Sequence, residues 1–194
     1  MTLKSHLLNA ITRLSAYASN ENPLAAAGNK IALVLAGNTP FYPLYVVGLA
    51  GTDGLPALLM TLFAFPVFAA VPAISRRHPL LGRATLSSAG SVNTIFVTWL
   101  LGEKSGTELF LIPCIMLASL LFTVRERIWM LLLAALPMGA YILFHGQYRR
   151  PPHIYDDAAY ASLFSMNAIS VGTLSIFLGI VFSGLYAQEP KRPD

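Results

Sequence analysis

Charge is what this sequence has least of. Only 11% of its 194 residues are Asp, Glu, Lys or Arg, where an average soluble domain carries roughly a quarter. With 13 Lys plus Arg and 9 Asp plus Glu in a chain that is 55% hydrophobic, there is not enough charge to give every element a solvated face. That excludes a soluble globular fold, a disordered segment and a nucleic-acid partner. Cysteine is nearly absent: Cys114 stands alone in an apolar stretch, so a disulfide scaffold is excluded and the redox compartment stays unread. Ionisable groups are missing from the middle of the apolar runs, where a proton pump or ion-coupled transporter would carry one. Catalytic signatures are missing too. There is no Gly-x-Ser-x-Gly turn, no carboxylate pair spaced for acid–base work, no Walker loop, no dinucleotide fingerprint and no zinc motif, so no catalytic residue, cofactor or metal is assigned.

What is present is a series of continuous apolar runs cut by Gly, Pro and charge, near 31–50, 55–74, 80–101, 108–123, 128–145 and 160–186. A spanning helix needs about 20 such residues, and continuous rather than alternating hydrophobicity argues against a membrane barrel. The expectation is an all-α polytopic membrane protein, a six-helix transmembrane bundle over 24–187. The fourth run is short unless Gly106 and Thr107 begin it.

The cations give the orientation. Lys4, Arg13, Lys30, Arg76, Arg77, Arg83, Arg125, Arg127, Lys191 and Arg192 fall on one side, and Lys104, Arg149 and Arg150 on the other. The positive-inside bias then places both termini in the cytoplasm of a bacterial inner membrane, and the net charge of +4 needs no nucleic acid to explain it. In the first 23 residues, Leu3, Leu7, Ile11, Leu14 and Ala18 recur at helical spacing with Lys4, Asn9 and Arg13 on other faces. This pattern predicts an amphipathic helix on the cytoplasmic membrane surface, retained because it has no signal-peptide core. Asn20 to Pro23 turns the chain into the first span, and 188–194 form a short cytoplasmic tail.

Polar residues within the runs mark candidate contacts. Gly37, Asn38, Pro40 and Pro43 cluster mid-way through the first span, which predicts a kink or an unwound turn tolerated only against protein or a wet cavity. Asn38, Tyr42 and Tyr45 would form a polar patch there, met by Asn93 and Trp99 of the third span. A proline-kinked helix whose Asn joins two helices, with Trp99 in the interfacial aromatic belt, accounts for the same residues.

On the outer side, Glu108, His145, Arg149, Arg150, His153 and Asp157 are read as a lid in which an arginine meets Glu108 or Asp157. A metal set of His145, His153, Asp156 and Glu108 matches no established ligand spacing, and His78 and His145 lie at opposite faces, which excludes a haem held by that pair. In the sixth span Gly172, Ser175, Gly179 and Ser183, with Ala168 and Ala187, form small-residue ladders suited to a homodimer or to packing inside the bundle.

Asn22-Pro-Leu24, Gly28-Asn29, Gly37 and Phe41-Tyr-Pro-Leu-Tyr45 resemble the beginning of six-span sensor modules of bacterial histidine kinases, notably receptors for α-hydroxyketone autoinducers. Leu101-Gly-Glu-Lys-Ser-Gly106, Glu108-Leu-Phe110 and Phe122-Thr-Val-Arg-Glu-Arg127 are similar to the six-span modules ahead of bacterial adenylate and guanylate cyclases. The resemblance spans roughly 20–187. It implies a receptor that takes a small lipophilic ligand between its helices and signals to a cytoplasmic effector through the sixth span. Those proteins continue into a catalytic domain, whereas this sequence stops at Asp194 after Pro190 and Pro193. The expectation is an effector on a separate protein, or a stand-alone relative with another task. A small-solute transporter or pore, and an assembly or scaffold subunit, are the two other readings of the same features.

Overall fold

A computed structural model of the chain describes residues 3–186, without the side chains of Leu3, Lys4, Leu7 and Tyr186. The expected tail, Ala187 of the small-residue ladder, and Lys191 and Arg192 of the charge count lie outside the described residues. The structure is helical throughout, with no strand among the described residues. Its helices are α1 (Leu3–Ala18), α2 (Pro23–Asn38), α3 (Tyr42–Ala50), α4 (Leu55–Leu59), α5 (Ala64–Arg77), α6 (Pro79–Leu101), α7 (Leu111–Leu120), α8 (Arg127–Phe144) and α9 (Asp157–Tyr186).

The first span begins eight residues earlier than its hydropathy suggests. Pro23 occupies the first turn of α2, and the Asn22 side chain accepts from the Ala25 N–H, a cap that satisfies one of the free donors at the helix start. Gly28, Asn29 and Lys30 interrupt the apolar run without interrupting the helix. Asn29 is fully buried and donates to the Ala18 carbonyl at 3.1 Å. A Cβ on Gly28 would sit 3.2 Å from Leu121, so glycine there lets α2 approach its neighbours. The predicted mid-span break is a 3-10 turn, Thr39–Phe41, between α2 and α3. Pro40 and Pro43 withhold their donors from the ladder, and the Thr39 hydroxyl takes up the Leu35 carbonyl at 2.9 Å. The second span is interrupted likewise, α4 and α5 being joined through the 3-10 turn Met60–Phe63.

Among the described residues, four stretches are long and apolar enough to cross a membrane: Pro23–Ala50, Leu55–Arg77, Val124–Phe144 and Asp157–Leu185. The other two expected spans exist as helices that fall below that mark for different reasons. Helix α6 has the length, but its apolar character is diluted by Ser87, Ser91, Thr94 and Thr98, all of them buried. Helix α7 with its leading turn, Thr107–Leu120, would reach only about 21 Å at 1.5 Å per residue. That is short of the ~30 Å hydrocarbon core. It opens after Gly106, whose φ of 75° lies in the left-handed region, and Thr123 ends the stretch by capping the next helix.

Helix α2 packs on α5 and α6, α7 packs on α8, and α9 runs across α7 and α3. Large exposed side chains such as Phe63, Ile128, Leu131, Ile142, Leu143, Ile169 and Ile176 cover the outside, as on a bundle solvated by lipid. One core cluster gathers Ile31, Phe68, Leu86, Leu121, Leu178 and Phe182, and a second gathers Val46, Leu58, Val97, Leu100, Tyr155 and Leu163.

Helix α1 is held at its C-terminal end. The Tyr17 hydroxyl donates to the Ala69 carbonyl at 2.9 Å, and the Asn20 amide to the Ser75 carbonyl at 3.0 Å. Of its expected apolar stripe, Ala18 is buried against the bundle while Ile11 and Leu14 are exposed, as is Leu8 beside them; the side chains of Leu3 and Leu7 lie outside the described residues.

Arg83 joins the α5–α6 and α7–α8 turns at this same end of the bundle. Its guanidinium meets Glu126 in a two-pronged pair, Nη2 to Oε1 at 2.6 Å and Nη1 to Oε2 at 2.9 Å, and Nη1 also donates to the Leu121 carbonyl at 2.7 Å. Glu126 in turn accepts from the Thr123 N–H and hydroxyl, completing a capping box. A residue counted in the sequence as one more surface cation is therefore a buried structural group.

Candidate functional site

The break in the first span opens on a cavity. It has a volume of about 130 Å³ and is walled mostly by apolar side chains, among them Leu35, Phe68, Val97, Pro113, Leu117 and Leu178. Asn38, Thr39 and Tyr42 come to it from the break itself, Asn93 and Thr94 from α6, and Thr107 from the turn before α7. Of the five residues expected to line a ligand site, the structure brings together Asn38, Tyr42 and Asn93. It leaves Tyr45 and Trp99 outside the cavity lining; Tyr45 is about half exposed, and Trp99 stacks on Phe96 with ring centroids 5.9 Å apart.

The polar side of the cavity is organised by a residue that the sequence reading passed over. Asn167 of α9 is fully buried, accepts from the Tyr42 hydroxyl at 3.3 Å and donates to the Ser105 carbonyl at 2.9 Å. Ser105 and Thr107 share a hydroxyl contact of 2.9 Å, and Thr107 donates to Thr98 at 3.1 Å. These residues form one chain of hydrogen bonds from the broken span through α9 to the α6–α7 turn. Asn167 is the one asparagine in the apolar run of α9, and a lone amide in such a run marks a buried hydrogen-bonding group between helices; that was the signal available.

The loop between α8 and α9 is arranged differently from the expected arginine lid. Glu108 is met by His145, Nδ1 to Oε2 at 2.7 Å, and Asp157 by Lys104 at 3.1 Å. Neither Arg149 nor Arg150 makes an ion pair among the described residues. Before them, Gly146 (φ 73°) turns the chain, and its N–H donates to the Glu103 carboxylate of the α6–α7 turn. His153 sits edge-on to Tyr155 at 4.6 Å, and the Asp156 carboxylate caps α9 by accepting from the Ala159 N–H at 2.7 Å. The metal set weighed in the sequence is thus not assembled; Glu103 joins Glu108 and His145 in place of His153 and Asp156. Glu108 raises the His145 imidazole above its ordinary range, first through the hydrogen bond and then through its charge. Burial, followed by that same carboxylate charge, pushes the Tyr148 phenol up to about 12.

The small-residue ladder of α9 faces away from the bundle. Nothing lies within 4 Å of a Cβ placed on Gly172 or Gly179; both glycines and Ser183 are exposed and Ser175 is half-buried, between Ile169, Ile176 and Ile180.

A helical bundle with apolar side chains outside, several stretches able to span a bilayer and a polar-edged cavity at a broken helix is a multi-pass membrane protein. The MASE7 family model matches residues 26–189, and the chain belongs to that family. MASE domains are membrane-associated sensor modules of signalling proteins, so sensing rather than catalysis is the family's role. No curated protein matches the chain.

Proposed function

We propose that this sensor module binds a small lipophilic ligand in the cavity at the α2–α3 break and transmits its occupancy to a cytoplasmic effector of cyclase or kinase type through α9. The observation that carries the reading is the Tyr42–Asn167 contact, which joins the cavity wall to the helix that leads to the C-terminus. A cavity of about 130 Å³ is close in size to one that holds benzene. A guest of about six non-hydrogen atoms is bounded at roughly 9 kcal/mol, or sub-micromolar affinity at best. Any signal can be no larger than the guest's difference in affinity between two states of the bundle.

In this reading all six helical segments cross a bacterial inner membrane, α7 doing so where its neighbours bury it. Both termini are cytoplasmic, because the basic α5–α6 and α7–α8 turns share one end. The exposed Leu8, Ile11 and Leu14 of α1 rest in the lipid interface. The outward ladder of α9 pairs two copies of the chain.

The ligand site is tested with fluorobenzene, a probe matched to the cavity, followed by ¹⁹F NMR on the full chain in lipid nanodiscs. Gly90→Leu fills the cavity and abolishes saturable binding, while Gly172→Leu on the outer face of α9 leaves it intact. Equal binding by the Gly90→Leu variant would overturn the assignment. Net flux of the probe's polar relatives into proteoliposomes, absent from empty vesicles, would favour a transporter instead.

A further inference from the structure

The outer end of the bundle carries a second site that the cavity does not use. Glu103 and Glu108 flank the turn between α6 and α7, and His145 follows the last residue of α8. One potential ligand atom from each lies within 4.8 Å of the other two. The sequence already groups Glu108 with His145; the member it does not suggest is Glu103, which the α6–α7 turn brings beside them.

An ion pair alone does not satisfy these groups. His145 takes one oxygen of Glu108, but the other, Oε1, is buried with no hydrogen-bond partner, and the side chain as a whole is only 9% exposed. A buried carboxylate oxygen without a partner is costly, and Glu108 Oε1, facing a second carboxylate and an imidazole, indicates a missing participant that can bind oxygen. Lys104 does not supply it, since its ammonium pairs outward with Asp157. Two carboxylates beside one imidazole, next to an apolar bundle, also lack a full countercharge.

We propose that Glu103, Glu108 and His145 form a binding site for a divalent cation of the zinc class, with water in the remaining position. One nitrogen and two oxygen donors suit Zn²⁺ and its first-row neighbours, whereas Ca²⁺ and Mg²⁺ demand six or more oxygens. Metal–ligand bonds of about 2.0–2.1 Å in a tetrahedral shell place ligand atoms roughly 3.3 Å apart. The three ligand atoms lie within 4.8 Å of one another around that spacing, and Glu103 and His145, which reach the surface, are the side chains with room to adjust to it. A +2 ion neutralises the two carboxylates. Bound there, it ties the α6–α7 turn to the end of α8, one residue from Thr107 at the cavity wall.

The test uses the full chain in detergent, stripped with chelator and titrated with Co²⁺, whose visible d–d bands report the geometry of its shell, followed by competition with Zn²⁺. Wild type and a His153→Ala control are expected to bind one Co²⁺ per chain and to release it to Zn²⁺. Glu103→Gln, Glu108→Gln and His145→Ala should each weaken binding by at least about tenfold. The Glu103 and His145 variants alter surface-reaching side chains, so they report even where the buried Glu108→Gln variant does not fold. Absence of saturable Co²⁺ binding by wild type, or equal binding by the Glu103→Gln and His145→Ala variants, would overturn the site and leave a simple His–Glu pair.

Discussion

Two ion pairs of the same charge type sit at opposite ends of this bundle, and their energies should differ severalfold for a reason that can be measured. In the Arg83–Glu126 pair the arginine side chain is 3% exposed and the glutamate 25%; in Lys104–Asp157 the exposures are 73% and 93%. The first pair makes two charge-assisted hydrogen bonds, at 2.6 and 2.9 Å. Each such bond contributes about 1.5–3 kcal/mol, and regained hydration of the partly exposed carboxylate returns some of that when the pair is cut. A coupling energy of about 2–3 kcal/mol is expected. The second pair is fully hydrated and salt-screened, and its coupling should not exceed about 0.5 kcal/mol. Double-mutant cycles isolate the two values: Arg83→Met with Glu126→Gln, and Lys104→Met with Asp157→Asn, each read by reversible unfolding in one detergent at low and at high salt. Couplings that agree within about 0.5 kcal/mol, or a buried pair that weakens with salt as much as the exposed one, would refute the reasoning.

Three further outcomes are expected from the packing. Gly82→Ala places a methyl group in overlap with the Ser75 hydroxyl and 2.9 Å from the Ser75 Cα. It should cost about 1–3 kcal/mol, with part of the loss recovered by adding Ser75→Gly; thermal unfolding of the two variants checks this. Asn167→Leu strands the Ser105 carbonyl and the Tyr42 hydroxyl and should cost about 2 kcal/mol. Tyr42→Phe, which loses only a 3.3 Å contact, should cost about 1 kcal/mol or less in the same assay. Gly179→Leu meets open space and should leave the unfolding midpoint unchanged or raised while lowering the mass of the detergent-solubilised particle. An unchanged mass would remove the α9 ladder as an interface between copies.

Hydropathy made the helical segments legible because lipid imposes a length and a composition on each one, and the proline cluster made the Thr39–Phe41 break legible because proline's missing donor is a local fact. The errors share an opposite cause. Gly28, Asn29 and Lys30 looked like a boundary because their partners lie on other elements: Ala18 for Asn29, and Leu121 for Gly28. Arg83 looked like a surface cation because its carboxylate is 43 residues away. The arginine lid failed because position along a loop does not say which side chain folds inward; His145, at the helix end, reaches Glu108 before Arg149 does. Asn38, Tyr42 and Asn93 could be named from their depth in the runs, whereas Asn167, equally deep, was overshadowed by the glycines and serines that follow it in α9.

The Arg83–Glu126 pair also sets an order of events during synthesis. Chains emerge at about 5–20 residues per second, so the 43 residues between the partners take roughly 2–9 s to follow. In the six-span reading proposed above, α6 spends that interval in the membrane with its guanidinium uncompensated. Only when the α7–α8 turn has been made can Glu126 pair with Arg83 and join the two halves of the bundle. Pairing of Arg83 is thereby made conditional on synthesis through Glu126, in the second half of the chain.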